Sequence, residues 1–199
     1  MKVHNDYIIT DKLDLDLAKI KNSCYKMKDI IDNHFREKIL EVDYTEAEGK
    51  LAPLTTQGFE HYNLFMYGFE GFHSLYFEIQ KLFRQLNQND EAHYIRCWLN
   101  IYEKGNFVDW HEHFPPRCNS WHGFFCVDCE PSATTYQLPN ILEPIDIISE
   151  NNLLVLSKSN GDRHRTWPWE HSERDRISIA FDIVPATHTG EYLNHWIPI

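Results

Sequence analysis

Basic residues are scarce in this 199-residue sequence: 19 lysines and arginines stand against 30 aspartates and glutamates, a formal net charge of −11. A surface of that sign disfavours the phosphate contacts that drive nucleic-acid binding, and an anionic membrane face as well. The expected partners are small-molecule or polypeptide substrates. Long apolar runs are also missing. No window approaches the roughly 20 apolar residues of a membrane span. The start, MKVHNDYIITDKLDLD, has no apolar stretch of the signal-peptide kind, so a cytoplasmic location is expected. Repeats and low-complexity tracts are absent. Cysteine is limited to five residues, consistent with reduced thiols. Cys126 and Cys129 spell C-x-x-C, but without a second such pair there is no zinc ribbon. Pro131 and Ser132 follow as a turn and do not open a helix, which argues against a thioredoxin-type motif. The pair reads as a buried strand cysteine followed by a loop cysteine.

What is present is a globular composition, 42% apolar and 14% aromatic. The expectation is a single domain over 1–199, with a helical support region at 1–93, a core at 94–184 and a tail at 185–199. In DLDLAKIKNSCYKMKDIIDNHF, residues Leu13, Leu17, Ile20, Cys24, Met27 and Ile31 recur near the helical period. In FHSLYFEIQKLFRQL, a broad stripe of Leu75, Phe77, Ile79, Leu82, Phe83 and Leu86 predicts a second helix. The aromatic segment between them, residues 51–71, reads as loop or short strand. Beyond residue 93 the period becomes two. YIRCWLNIY, FVDWHEH, SWHGFFCV, TTYQL, IDII, LLVL and RISIAFDIV read as short strands divided by turn signals. The fold class is therefore mainly β with N-terminal helices (α+β), a sandwich or barrel.

If FVDWHEH is a strand, Asp109, His111 and His113 share one face, with Trp110 and Glu112 on the other. Two imidazoles about 7 Å apart at Cα can converge on one metal ion with a third ligand from elsewhere. His164 follows about fifty residues later, after LLVL and the Asn160-Gly161 turn. Twelve residues further on, Arg176 opens a strand on which Arg176, Ser178, Ala180 and Asp182 share one face. A guanidinium and a hydroxyl on that face suit a carboxylate, one through a bidentate charge-assisted pair and the other as an extra donor. Tyr136 and Asn100 are further pocket candidates, and His122 is a core or pocket residue. Trp167 and Trp169 either wall a pocket or cover the barrel mouth. His171 reads as solvated, and the remaining histidines fall outside any spacing.

The joint order H-x-H, distal His, R-x-S resembles the iron- and 2-oxoglutarate-dependent oxygenases of the double-stranded β-helix (jelly-roll, cupin-like) fold. The likeness is to the branch whose first motif reads H-x-H followed by Ser-Gly and aromatic residues. It is carried by WLNIYEKGNFVDWHEHFPPRCNSWHGFFCV and NNLLVLSKSNGDRHRTWPW…RDRISIAFDIV, about residues 94–184. The resemblance implies an Fe(II)- and 2-oxoglutarate-dependent dioxygenase, a hydroxylase of unspecified substrate. His111, His113 and His164 would hold the metal, and Arg176, Ser178 and Tyr136 would line the 2-oxoglutarate site. Two departures stand out. The usual triad is H-x-D, with His113 here in the carboxylate's place. The third ligand is then His113, a water, or a carboxylate, with Asp109 matching by face and Glu112 if the strand bulges. Where the family has an apolar-Phe-Pro step before its distal His, this chain has Leu156-Ser157-Lys158. The alternatives are a cupin-like metal-binding or structural module without 2-oxoglutarate turnover, and an oxygenase that uses iron alone.

Overall fold

The computed structural model describes residues 1–34, 54–55, 63–188 and 195–199, with only the backbone at 31–34 and 54–55. Two helices lie where the apolar period places them, α1 at Leu17–His34 and α2 at Phe72–Leu86. Asp16 begins α1 by accepting from the Lys19 backbone N–H through its carboxylate (3.2 Å), which satisfies one of the first turn's free donors. Ile20, Cys24 and Met27 are buried, one turn apart. The side chain of Ile31 and residues 51–53 and 56–62 lie outside the described residues; the rest of the segment contains a strand β3 at Leu54–Thr55 and a 3₁₀ turn at Leu64–Met66. On α2 the stripe is narrower than expected: Leu75, Ile79, Leu82 and Phe83 are buried, but Phe77 is 61% exposed. Gly71 starts α2 at φ +88°, and a Cβ there would run into Ile20, so its lack of a side chain lets the two helices meet.

The β elements are β1 (Lys2–His4), β2 (Ile8–Lys12), β4 (His93–Tyr102), β5 (Trp121–Asp128), β6 (Ala133–Gln137), β7 (Ile145–Ile148), β8 (Leu153–Lys158), β9 (Arg163–Thr166), β10 (Arg176–Pro185) and β11 (Ile197–Pro198). They form a large sheet in the order β1-β2-β8-β5-β10-β4-β11, with β3 on β4, and a small sheet β7-β6-β9, all pairings antiparallel. Among the described residues the architecture is mainly β with two α-helices, a jelly-roll. Two expectations need correction. The N-terminal region is not helical from the start, because β1 and β2 precede α1 and β2 extends the large sheet along β8. FVDWHEH is not a regular strand. It follows β9 through Thr166 N–H to the Val108 carbonyl (3.0 Å) and one reciprocal pair between His111 and His164 (3.1 and 3.0 Å).

The central strand β10 shows how sequence alternation builds two compartments. Ile177, Ile179, Phe181 and Ile183 are fully buried in the core that also contains α1 and α2. Each such side chain contributes roughly 1.5–3 kcal/mol of transfer free energy. The opposite face turns Arg176, Ser178 and Asp182 into the lumen between the sheets, where all three are also buried. A second apolar cluster, including Cys126, Cys129, Tyr136 and Val155, fills part of that lumen. The Cys126–Cys129 pair is buried at both positions, and the Cys129 thiol donates to the Ile177 carbonyl (3.0 Å).

Gly123 lies where β5 passes β8. A Cβ there would meet the Val155 carbonyl and the Phe181 ring at distances real Cβ atoms do not show. Gly123→Ala is therefore expected to cost about 3 kcal/mol through overpacking against backbone. The check is the denaturation midpoint against urea, and an unchanged midpoint would contradict this packing.

Candidate metal centre

Four imidazoles converge at one end of the lumen. The ring centroids of His111 and His164 lie 4.2 Å apart, His113 and His122 4.4 Å, His122 and His164 4.9 Å, and His113 and His164 5.1 Å. One ligand atom from each of His111, His113 and His164 falls within 4.8 Å of the other two. Strand geometry accounts for part of this. The His111–His164 backbone pair sets those two residues side by side, and His164 sits within β9 and not at the end of the preceding strand. Their chain neighbours point outward, so that Arg163 and Arg165 both pack over Trp110.

Hydrogen bonds determine which nitrogens are free. His111 Nδ1 lies 2.8 Å from the Asp109 carbonyl, which can only accept, so Nδ1 carries the proton and Nε2 presents its lone pair. His113 Nδ1 is 2.6 Å from Asp182 Oδ1, which leaves Nε2 as its open atom. His164 Nδ1 is buried with no hydrogen-bond partner among the described residues. An orphaned, buried nitrogen beside two open lone pairs fits a metal ion better than an apolar core. Neither reserve carboxylate joins the group. Asp109 is exposed and accepts from the Trp110 backbone N–H (2.7 Å), and Glu112 is exposed. The irregular backbone at 107–113 breaks the shared face that would have aligned Asp109 with the histidines.

Two carboxylates absent from the expected ligand set do reach the cluster. Asp182 holds His113, and it was legible in principle, since it shares a face with Arg176 and Ser178. Asp162 contacts His122 Nε2 through Oδ2 at 3.2 Å, both side chains 2% exposed. No local pattern signals it, because it follows a turn and meets a residue forty positions away. A second triple, His122, Asp162 and His164, also brings its ligand atoms within 4.8 Å of one another.

Electrostatics follow from burial and these partners. Burial, then the nearby His113, lowers the His111 pKa to about 4. Burial also pushes His164 well below its ordinary value and lowers His122, with neighbouring imidazoles adding to both shifts. For His113 burial is the largest single influence and opposes charging, but the charge and hydrogen bond of Asp182 outweigh it and the pKa is raised. Asp162 is lowered: burial opposes ionisation, but His122, the Asn160 N–H and the Ser157 hydroxyl together outweigh it.

The sign for stability follows. Histidines with lowered folded pKa stay neutral while the unfolded chain takes up protons, so they destabilise the fold as pH drops from 6.5 toward about 4. The His113–Asp182 pair acts oppositely, stabilising below the unfolded value and fading as pH rises through the raised one. Three lowered histidines outweigh one raised. The metal-free protein is expected to melt at a lower temperature at pH 5 than at pH 7, measured by circular dichroism, and a higher melting temperature at pH 5 would contradict the arrangement.

Arg176 occupies the same lumen. It is 1% exposed, its guanidinium donates to Ser178 Oγ (3.3 Å) and lies 4.8 Å from the Tyr102 ring centroid. No carboxylate among the described residues pairs with it. Tyr136 stacks on His164 at 5.0 Å, with its hydroxyl buried and without a hydrogen-bond partner among the described residues. Asn100 lies across from Ser178 in the β4–β10 register. Trp169 is fully buried, with its indole N–H on the Arg174 carbonyl, and Trp167 is 42% exposed on the outside.

No protein-family model and no curated protein sequence matches the chain. Solved structures do. AviO1 from Streptomyces viridochromogenes superposes with a TM-score of 0.60 at 14% identity, covering 90% of each chain. The viral collagen prolyl hydroxylase of Paramecium bursaria Chlorella virus-1, in its 2-oxoglutarate complex, gives 0.56 at 9% identity, over 92% of this chain and 97% of that one. HygX from Streptomyces hygroscopicus, with iron bound, gives 0.55 at 9% identity, over 90% of this chain and 82% of that one. At such identities the likeness is one of architecture. This chain has the double-stranded β-helix fold of the 2-oxoglutarate- and iron-dependent oxygenases.

Proposed function

We propose that this protein is a non-haem Fe(II)- and 2-oxoglutarate-dependent oxygenase, a hydroxylase acting on a small-molecule or polypeptide substrate. His111, His113 and His164 hold the metal in this reading. Arg176 and Ser178 receive the distal carboxylate of 2-oxoglutarate, with the Tyr136 hydroxyl as a further donor. The observation that carries it is the buried Arg176 guanidinium, which faces the lumen with no carboxylate partner among the described residues, on the strand whose Asp182 positions His113. A buried cation in that state is costly, and an incoming carboxylate removes the cost.

When bound, iron and 2-oxoglutarate supply the activation of O₂ for hydroxylation, and the protein positions and tunes them. The Asp109 carbonyl and the Asp182 carboxylate hold the Nδ1 protons of His111 and His113, so that both rings offer Nε2. Asp182 also places a negative charge one ring beyond the position where related sites carry a carboxylate ligand. Trp98, stacked on His113 at 6.2 Å, limits water on that side.

The all-imidazole set also suits zinc or nickel, which keeps open a cupin-like metal-binding module on the same fold. Anaerobic addition of Fe(II) and then 2-oxoglutarate separates the two. A visible metal-to-ligand charge-transfer band, with succinate formed on admitting O₂, is the expected result. Iron bound without that band would sink the 2-oxoglutarate reading and leave the binding module.

A further inference from the structure

We propose that the lumen contains a second divalent-cation site, formed by His122, Asp162 and His164 and overlapping the three-histidine set through His164. The inference rests on the reading of the lumen as metal-binding, and goes beyond it by assigning a carboxylate ligand that neither the H-x-H motif nor its neighbours provide.

Contact lengths distinguish the two buried aspartates. Two ligand atoms each about 2.0–2.2 Å from an ion, at roughly 90–110° to one another, lie about 2.9–3.5 Å apart. The 3.2 Å between His122 Nε2 and Asp162 Oδ2 has the length of such an edge. The 2.6 Å between His113 Nδ1 and Asp182 Oδ1 is too short for one and marks a proton-bridged contact. Asp182 therefore orients a ligand, whereas Asp162 stands in position to be one. His122 Nε2 is itself buried and has no hydrogen bond of good geometry among the described residues, which marks an unmet partner at this place apart from the His164 Nδ1 that both sets share.

The surroundings are those of a supported site. Ser157 Oγ donates to Asp162 Oδ2 (3.2 Å) and the Asn160 N–H to Oδ1 (3.3 Å), fixing the carboxylate. Ser159 Oγ sits 3.1 Å from His122 Nδ1. With its proton on Nδ1, His122 donates to Ser159 and turns the Nε2 lone pair to the ion. Two imidazoles and one carboxylate favour Fe(II), Mn(II) or Co(II), and the added negative charge offsets the cation in a way three neutral rings do not.

Co(II) binding tests the site. The double variant His111→Ala/His113→Ala is expected to retain one Co(II) per chain by equilibrium dialysis, with affinity reduced by about ten- to a hundredfold. Asp162→Asn added to it is expected to abolish that binding with little change in shape. Circular dichroism establishes folding, and His111→Gln/His113→Gln replaces the alanine pair if that variant does not fold. A folded double variant that binds no Co(II), or binding indifferent to Asp162→Asn, would overturn the proposal. If the unaltered protein binds no Co(II), the metal reading fails as a whole; if only the double variant fails, this second site alone is lost.

Discussion

Arg176→Ala is expected to weaken 2-oxoglutarate binding by more than about a hundredfold while leaving the affinity for Fe(II) or Co(II) unchanged. Truncating one partner of a buried charge pair costs roughly 3–5 kcal/mol, and each 1.4 kcal/mol is tenfold in affinity. Arg176 has no carboxylate partner among the described residues, so the ligand would bear that loss alone. Stability without 2-oxoglutarate should fall by less than the ligand affinity does, because the Ser178 hydroxyl and the Tyr102 ring are the groups that lose a partner and no carboxylate among the described residues does. Arg176→Lys keeps the charge and loses the bidentate fork, so an intermediate affinity is expected. Titration of the anaerobic metal complex with 2-oxoglutarate measures all three. Wild-type affinity in Arg176→Ala would place the cosubstrate carboxylate elsewhere.

Among single substitutions, His164→Ala is expected to be the most damaging to metal binding. His164 belongs to both triples, so its loss breaks each of them, whereas loss of His113 breaks one. If a four-ligand site is worth about 10–16 kcal/mol, one ligand is worth about 3–4 kcal/mol, or two to three orders of magnitude in affinity. Asp182→Asn, which only disturbs the orientation of His113, should cost about tenfold. The expected order of retained affinity is Asp182→Asn, then His113→Ala, then His164→Ala. Competition against a chromophoric chelator gives the ranking, and His164→Ala binding more tightly than His113→Ala would contradict the shared position.

Much of the architecture was legible because the signals are local and long. The ten-residue β10 alternates cleanly, and both helices carry a sustained apolar stripe. The misses have equally physical origins. The three-residue β1 and five-residue β2 are too short for a period of two to stand out, and β2 depends on its pairing with β8. FVDWHEH alternates in composition, yet one reciprocal pair and one further backbone bond hold it to β9, so parity misplaced Asp109. His122 was ambiguous because β5 is buried on both faces, which removes the contrast that parity relies on.

The sequence by itself determined the two faces of β10, since its alternation sends isoleucines to the helices and Arg176, Ser178 and Asp182 inward. The H-x-H pair, the distal His164 and the R-x-S strand stood out by their joint spacing, and their roles were what the family resemblance implied. Only the tertiary structure decided where the carboxylates go. Asp182 meets His113 and Asp162 meets His122 across separations of 69 and forty residues, through backbone curvature and cross-strand register that no local period encodes. Charge placement around the four imidazoles is therefore a property of the closed barrel, because only closure brings groups so distant in the chain within hydrogen-bonding range.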